Sequence, residues 1–250
     1  MGKNRLSWEL WPSCNRKVRM YSTQRNSLGG MPGPPECGGT CPGCTSGPGG
    51  CWTHAKATGQ SRVCYADKLA KAWSTVRTLL QHNTAVLKGS RHWLRKFQRF
   101  DFLFRMFGEE CDRYAKLHPG ARVRDFRLYW SGDIADLATA KALKAALARH
   151  PDIGFWTYTR TFGVVRTLAG IPNLRLFVSL DPVNCRAGMR RFGRLEKAGK
   201  LSFAYMGTEN RYGFVPCPVD SGRRKLDGAC GRCRLCLVTK KPVNIWFKTK

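Results

Sequence analysis

Cysteine is the residue type that most restricts the chemistry of this 250-residue chain, which contains 12 of them. Cys37, Cys41 and Cys44 have the spacing C-x3-C-x2-C, and Cys51 and Cys64 follow in the same loop. Thiolates are soft ligands that suit iron–sulfur clusters and zinc. Three thiolates on a four-iron cluster leave one iron open to a substrate or cofactor, whereas four of these cysteines would make a closed structural zinc site. The spacing leaves both alternatives open.

A second group of cysteines lies near the carboxyl terminus. Cys217, Cys230, Cys233 and Cys236 follow the pattern C-x12-C-x2-C-x2-C, which brings the last three onto one compact turn. Four thiolates close together predict a closed metal site, either a second 4Fe–4S cluster or a structural zinc. A redox-active C-x2-C pair is the third alternative.

The charge of the chain is strongly positive. Lys and Arg number 44 against 16 Asp and Glu, which gives a formal net charge of +28. Such self-repulsion brings no advantage to a free globular enzyme, so the composition predicts a polyanionic partner, and a nucleic acid fits best. Basic charge dispersed over the surface without such a partner is the alternative.

The sequence offers no membrane segment. No run of about 18 apolar residues occurs, and the first residues, MGKNRLSWELWPS, lack the apolar stretch of a signal peptide. We therefore expect a cytoplasmic protein with no membrane partner, and a reducing compartment argues against structural disulfides for the cysteines.

Hydrophobic periodicity predicts an α/β fold. The predicted helices are Tyr65–Leu87, His92–His118, Ala135–Arg149, Val164–Ala169 and Ala187–Ala198, and the predicted strands are Arg16–Ser22, Phe126–Trp130, Ile153–Thr159, Leu174–Leu180, Leu201–Met206 and Val243–Phe247. Strands and helices that alternate along the chain indicate parallel strands in an open, partial β/α barrel. We expect that barrel to cover residues 1–210, with a cysteine loop at 29–64, and a cysteine-rich extension with a second metal or cluster site to cover 211–250.

Polar residues follow the predicted strands at the edge where such folds place their active sites. Ser131, Gly132 and Asp133 end the first strand of the alternating series. The small residues would let a ligand approach the backbone, and the Asp133 carboxylate would accept hydrogen bonds from an ammonium group. The alternative role of Asp133 is to cap the next helix.

The next two strands also end in candidate site residues. Arg160 could pair with a carboxylate of a cofactor or a phosphate of a substrate, or it is a surface arginine. Ser179 and Asp181 face the same rim and are candidates for binding ribose hydroxyls, although Asp181 with the following proline equally predicts a plain turn.

The C-x3-C-x2-C loop after a first strand resembles the signature of radical S-adenosylmethionine (radical SAM) enzymes. The resemblance implies that Cys37, Cys41 and Cys44 bind a 4Fe–4S cluster whose fourth iron chelates S-adenosylmethionine, and that reductive cleavage gives a 5′-deoxyadenosyl radical. It also implies that Asp133 binds the methionine amino group, in place of a longer carboxylate. One departure stands out, because Gly43 occupies the position of the usual aromatic residue before the third cysteine.

Most of the chain also resembles a phage family of radical-SAM-like proteins named after gene product 88. The motifs that carry this resemblance are Cys41-Pro42, Cys64-Tyr65-Ala66, Ser131-Gly132-Asp133, Tyr158-Thr159-Arg160, Val178-Ser179 and the cysteine-rich tail. The family pattern implies a different ligand set, namely Cys41, Cys51 and Cys64. The two assignments share only Cys41.

Together these features predict a radical SAM enzyme that acts on nucleic acid, DNA in the first place, with an electron donor such as a flavodoxin. If the chain is encoded by a phage, the host cytoplasm is its compartment. The resemblance implies, most specifically, an isomerase of thymidine hypermodification that converts a glycyl-thymidine from an N-linked to a C-linked form, a step that needs a cofactor radical. The alternative is a non-catalytic nucleic-acid-binding protein in which both cysteine groups bind structural zinc.

Overall fold

The computed structural model describes residues 8–14, 25–44, 64–119, 124–223, 229–237 and 241–248. In these residues the chain folds as an α/β protein. Its helices are α1 (Tyr65–Ala72), α2 (Ser74–Gly89), α3 (Trp93–Leu117), α4 (Leu137–Arg149), α5 (Val165–Leu168), α6 (Cys185–Lys197) and α7 (Ala229–Cys233). Its strands are β1 (Asp125–Arg127), β2 (Gly154–Thr159), β3 (Leu174–Leu180), β4 (Ser202–Gly207), β5 (Val215–Pro216) and β6 (Ile245–Lys248).

The six strands form one open, curled sheet in the order β1-β2-β3-β4-β6-β5. Every strand pair is parallel, which confirms the alternation predicted from the sequence. The middle strands are rich in β-branched and aromatic residues and are covered on both faces, as parallel sheets require. The result is a half-barrel whose strands all end at one edge.

The two faces of the sheet are covered by different parts of the chain. Alternate residues of β2 and β3, such as Phe155 and Val178, join the main core with α3 and α4. The intervening residues, such as Trp156 and Phe177, pack in smaller clusters with the cysteine-rich tail. The tail also supplies β5 and β6, so the segment predicted as an extension contributes two strands to the same sheet.

A segment near the amino terminus continues the sheet beyond β1. Leu28 N–H donates to the Arg127 carbonyl at 3.0 Å, and Trp130 N–H donates back to the Leu28 carbonyl at 2.9 Å. Ser27 bridges Arg127 in the parallel sense. This parallel segment leads directly into the first cysteine loop, which therefore starts at the sheet edge where β1 ends. The strand predicted at Arg16–Ser22 lies outside the described residues.

The helix predicted over Tyr65–Leu87 is wrong in one respect, because the chain breaks it at Trp73. Trp73 has an extended backbone (φ −128°, ψ 111°) and a side chain that is 61% exposed. The Arg77 side chain donates from Nε to the Ala70 carbonyl (3.0 Å) and from Nη2 to the Lys71 carbonyl (3.3 Å). It thereby satisfies carbonyls that the end of α1 would otherwise leave unpaired. The apolar side chain of Leu69 in α1 is also exposed.

The other predicted elements match the observed types with shifted ends, whereas β5 and α7 were not predicted. The long helix α3 and strand β3 lie where the periodicity placed them. Strand β1 is shorter than predicted, because Tyr129 adopts a left-handed backbone (φ 52°) and turns the chain out of the strand. In the described part of the chain, no helix is both long enough and apolar enough to cross a membrane.

Candidate active site at the carboxyl edge of the sheet

The carboxyl ends of β1, β2 and β3 bring three predicted residues together. Asp133 is buried, and its Oδ1 accepts hydrogen bonds from Ile134 N–H and the Thr159 hydroxyl, each at 2.7 Å. Its Oδ2 accepts from Arg160 N–H at 2.8 Å. The carboxylate therefore clamps the segment after β1 to the end of β2.

Burial raises the pKa of the Asp133 carboxyl, while the hydrogen bonds from Thr159, Arg160 and Ile134 act in the opposite direction. Asp133 does not cap the next helix, so that alternative is wrong. Asp136 caps α4 instead, since its side chain accepts from Thr139 N–H at 2.6 Å. A cap must lie immediately before the first helical residue, and α4 begins at Leu137.

Arg160 and Asp181 form an ion pair at the same edge. Nη1 of Arg160 contacts Oδ2 of Asp181, whose side chain is fully buried. The other oxygen, Oδ1, accepts from Val183 N–H (2.9 Å) and Asn184 N–H (3.0 Å), which fixes the turn into α6. Ser179 is half-buried, and its carbonyl accepts from the Asn184 side chain at 3.3 Å.

The first cysteine loop lies against this edge through Thr40. The Thr40 hydroxyl donates to the Met31 carbonyl (3.0 Å) and accepts from Asp133 N–H (3.2 Å). The Ser131 hydroxyl donates to the Gly30 carbonyl at 2.9 Å. Gly132 has a left-handed backbone (φ 74°), and a Cβ there would lie 2.3 Å from the Thr40 hydroxyl oxygen. The small residues after β1 thus admit the protein's own loop.

Gly43 contacts Arg160 directly. A Cβ on Gly43 would lie 2.6 Å from the Arg160 carbonyl oxygen and 2.8 Å from the Arg160 Cβ. Any side chain at position 43 would have to displace backbone at the end of β2. This close approach of the loop to the end of β2 explains why position 43, before the third cysteine, is a glycine and not an aromatic residue.

The cysteines of the first group differ in exposure. Cys41 and Cys64 are half-buried, and Cys37 is exposed. Cys64 immediately precedes α1. The Cys44 side chain and the whole of Cys51 lie outside the described residues. Within the described ranges, no group of three or more His, Cys, Asp and Glu side chains is arranged to hold a metal ion.

The second cysteine group lies on the sheet face opposite the main core. Cys217, Cys230 and Cys236 pack against buried residues of that face, and all four cysteines are half-buried. Burial, together with the neighbouring Cys230, Cys217 and Cys233, raises the pKa of the Cys236 thiol to about 12. The four cysteines are thus neighbours, but their side chains, which all belong to the described residues, are not arranged to hold a metal ion in this structure.

Two side chains of the sheet contact the surroundings of Cys236. The Tyr158 hydroxyl hydrogen-bonds the Cys236 thiol and opposes the rise in its pKa. Arg175, the second residue of β3, is 8% exposed; burial lowers its pKa, and the charge of Cys236 raises it. A buried guanidinium near Cys236 is stabilised if that sulfur atom carries negative charge.

No role was predicted from the sequence for Thr40, Tyr158, Thr159 or Arg175. Tyr158 and Thr159 belong to the motif Tyr158-Thr159-Arg160, and Thr40 immediately precedes Cys41, so these positions were the available signal. Arg175 is a charged residue within an otherwise apolar strand, LRLFVSL, and such a residue signals a buried partner.

These features define a class of protein, namely an α/β half-barrel with a cysteine loop at the carboxyl edge and a second cysteine group on one face. The chain belongs to the Gene product 88 family, whose family model matches residues 15–239. It is 31% identical over 201 residues to the Gene 88 protein of Mycobacterium phage L5, covering 76% of this chain and 78% of that protein. It is also 31% identical over 197 residues to the Gene 88 protein of Mycobacterium phage D29, covering 73% and 77%. No solved structure matches the chain significantly.

Proposed function

We propose that this chain is a radical SAM enzyme that acts on nucleic acid. The observation that carries the proposal is the position of the first cysteine loop at the carboxyl edge of the half-barrel. Thr40, next to Cys41, bonds Asp133, and Gly43 contacts Arg160. Catalytic sites of parallel β/α folds gather at this edge.

The proposed ligands of the cluster with one open iron are those of the family pattern. Half-buried Cys41 and Cys64, completed by Cys51, are the better ligand set, because Cys37 is exposed and a cluster needs shielding from water. Such a centre with S-adenosylmethionine supplies one-electron cleavage of the sulfonium and thereby hydrogen abstraction from an unactivated C–H bond.

The residues at the edge would bind and orient the cofactor. The Asp133 carboxylate accepts Arg160 N–H on Oδ2 and would also accept from the methionine ammonium. Arg160 would hold the methionine carboxylate or a substrate phosphate, with Asp181 orienting its guanidinium. The Ser179 hydroxyl, on a half-buried residue, is the candidate for a ribose hydroxyl.

The second cysteine group would hold a 4Fe–4S cluster or a structural zinc. Four thiolates around either centre carry net negative charge, which suits the buried Arg175 and the hydrogen bond from Tyr158. Because this group lies under the sheet and offers four ligands, its role is structural or electron-relaying. An electron donor such as a flavodoxin would reduce the catalytic cluster.

Nucleic acid is the proposed substrate because of the charge. A chain with a net charge of +28 gains strong, salt-dependent affinity from contacts with phosphates. The most specific proposal is isomerisation of glycyl-thymidine from the N-linked to the C-linked form in phage DNA, within the host cytoplasm. A duplex substrate would require the base to be flipped out of the stack.

The test is anaerobic purification followed by iron, sulfide and zinc analysis, and then by measurement of 5′-deoxyadenosine release from S-adenosylmethionine under reductant. We expect a brown protein that releases 5′-deoxyadenosine. The Cys41→Ala variant should lose the catalytic cluster, whereas Cys14→Ala, at an exposed cysteine outside both groups, should retain it. A colourless protein that contains only zinc would overturn the proposal.

Cysteine substitutions also distinguish the two ligand sets. Cys37→Ala should keep the catalytic cluster and Cys64→Ala should lose it, measured as iron per chain after reconstitution. The opposite result would assign the cluster to Cys37, Cys41 and Cys44.

A second candidate is a non-catalytic nucleic-acid-binding protein stapled by zinc. One observation favours it, namely that the carboxylates of Asp133 and Asp181 already accept several hydrogen bonds from the protein itself. Zinc at both sites, with DNA binding and no turnover of S-adenosylmethionine, would select this candidate.

A further inference from the structure

Helix α6 presents a row of exposed basic residues that no carboxylate neutralises within the described part of the chain. The row consists of Arg186, Arg190, Arg194 and Lys197, and we call it the α6 basic row. At about 3.6 residues per turn these four residues fall within an arc of about 80° on one side of the helix. The helix therefore exposes a line of positive charge.

The opposite side of α6 is fixed to the core. Cys185 and Phe192 are buried, and a Cβ on Gly188 would lie 2.4 Å from Leu180 Cδ2, so the helix packs closely against β3. Glu196 is the acidic residue of this helix, and it accepts a hydrogen bond from the Asn244 side chain at 2.9 Å. The α6 basic row is thus held on a rigid helix, and the carboxylate of Glu196 contacts Asn244 and not a residue of the row.

The row begins beside the candidate site. The Asp181 carboxylate accepts hydrogen bonds from Val183 N–H and Asn184 N–H in the turn after β3, and α6 starts directly afterwards at Cys185. From Arg186 to Lys197 the row covers about 17 Å, at about 1.5 Å per residue. One strand of duplex DNA presents about five phosphates over that length, at about 3.4 Å of axis per phosphate.

Among the described residues, the other helices do not offer such a line. Helix α3 interleaves its basic residues with Asp101, Glu109, Glu110 and Asp112. Arg149 at the end of α4 pairs with Asp101 at 3.1 Å. An anionic membrane fits α6 poorly, because the apolar side of the helix is buried in the core and has nothing to insert.

We propose that the α6 basic row binds the phosphate backbone of duplex DNA and leads it towards the carboxyl edge of the sheet. The inference rests on the proposed function, since it specifies where the nucleic acid lies. Phosphate contacts of this kind set register and orientation and carry no sequence preference themselves. Each contact contributes about 0.9 to the slope of log Kobs against log salt.

The experiment compares two variants of equal charge. The α6 variant carries Arg186→Gln, Arg190→Gln, Arg194→Gln and Lys197→Gln. The control variant carries Lys88→Gln, Lys116→Gln, Lys141→Gln and Lys144→Gln, which are exposed positions on other helices. Glutamine is a good helix former, so both should keep the wild-type circular dichroism. Binding to a fluorescent duplex DNA is measured by anisotropy over a series of salt concentrations.

We expect the α6 variant to reduce the magnitude of the salt slope by about three to four, and the control to change it by less than about one. Equal changes in both variants would overturn the inference and leave the proposed function standing. Failure of the wild-type protein to bind DNA even at low salt would overturn the nucleic-acid substrate as well. Loss of binding to phosphatidylserine vesicles, with DNA binding unchanged, would also overturn the inference.

Discussion

Replacing Asp133 by Asn tests whether its carboxylate holds the edge of the sheet together. The substitution preserves shape and burial but replaces one acceptor oxygen by an N–H₂ group. Oδ1 accepts from Ile134 N–H and the Thr159 hydroxyl, and Oδ2 accepts from Arg160 N–H. An asparagine can keep the first two bonds only by turning its N–H₂ group towards Arg160 N–H.

The magnitude follows from that conflict between two donors. Leaving one N–H unsatisfied at a buried position costs about 1–3 kcal/mol. Relief of the burial penalty on the charged carboxylate offsets part of this cost, since burial raises the pKa of Asp133. We therefore expect a loss of about 2 kcal/mol, which for a chain of this size lowers Tm by about 4–8 °C.

The assay is thermal and urea unfolding of the wild-type protein and of two Asp→Asn variants. The control is Asp112→Asn, whose carboxylate is mostly exposed and pairs with Arg124 on the surface. A surface pair of this kind contributes about 0–1 kcal/mol, so the control should shift Tm by a few degrees at most. Equal or smaller destabilisation by Asp133→Asn than by Asp112→Asn would refute the clamp.

Three further predictions concern other contacts. Gly43→Ala should destabilise the fold by about 1–3 kcal/mol and speed alkylation of the cysteine loop, because a Cβ there meets Arg160 backbone; unchanged thiol kinetics would contradict this. Asp136→Ala should lower the free energy of unfolding more than Lys96→Met, by about 3 against about 1 kcal/mol in urea titrations, because it removes a helix cap and leaves the buried Lys96 cation without a carboxylate, with only the Thr139 hydroxyl as partner; equal losses would contradict this. Arg175→Gln should weaken metal retention at the second cysteine group about 10-fold in chelator titrations, and unchanged retention would contradict the charge argument.

The sheet could be predicted from the sequence because its signals are local. Parallel strands buried on both faces read as nearly continuous apolar runs, and β3 shows this pattern except at Arg175 and Ser179. Helix α4 is rich in alanine and leucine, which favour helix at every position. Strands that alternate with helices then have few arrangements to choose from.

The site itself depends on contacts between segments that are distant in the sequence. The break at Trp73 carries no Gly or Pro signal and relies on Arg77 reaching back to the carbonyls of α1. The parallel segment beside β1 contains Ser27 and two glycines, so no periodicity marks it as part of the sheet. The alternative role of Asp133 as a helix cap differs from the observed cap, Asp136, by three residues, and only the start of α4 distinguishes the two.

Strand β2 connects the two cysteine groups through adjacent residues. Successive side chains of a strand point to opposite faces, so Thr159 bonds Asp133 at the carboxyl edge while Tyr158 bonds Cys236 under the sheet. Tyr158 is also fixed by stacking on Phe177, with ring centroids 4.9 Å apart. A metal bound by the tail cysteines would fix the position of Tyr158. Tyr158 in turn fixes the end of β2. Arg160, the residue after β2, contacts the first cysteine loop. The tail cysteines would thus make the candidate site at the carboxyl edge more rigid from the other face of the sheet, although none of them belongs to that site.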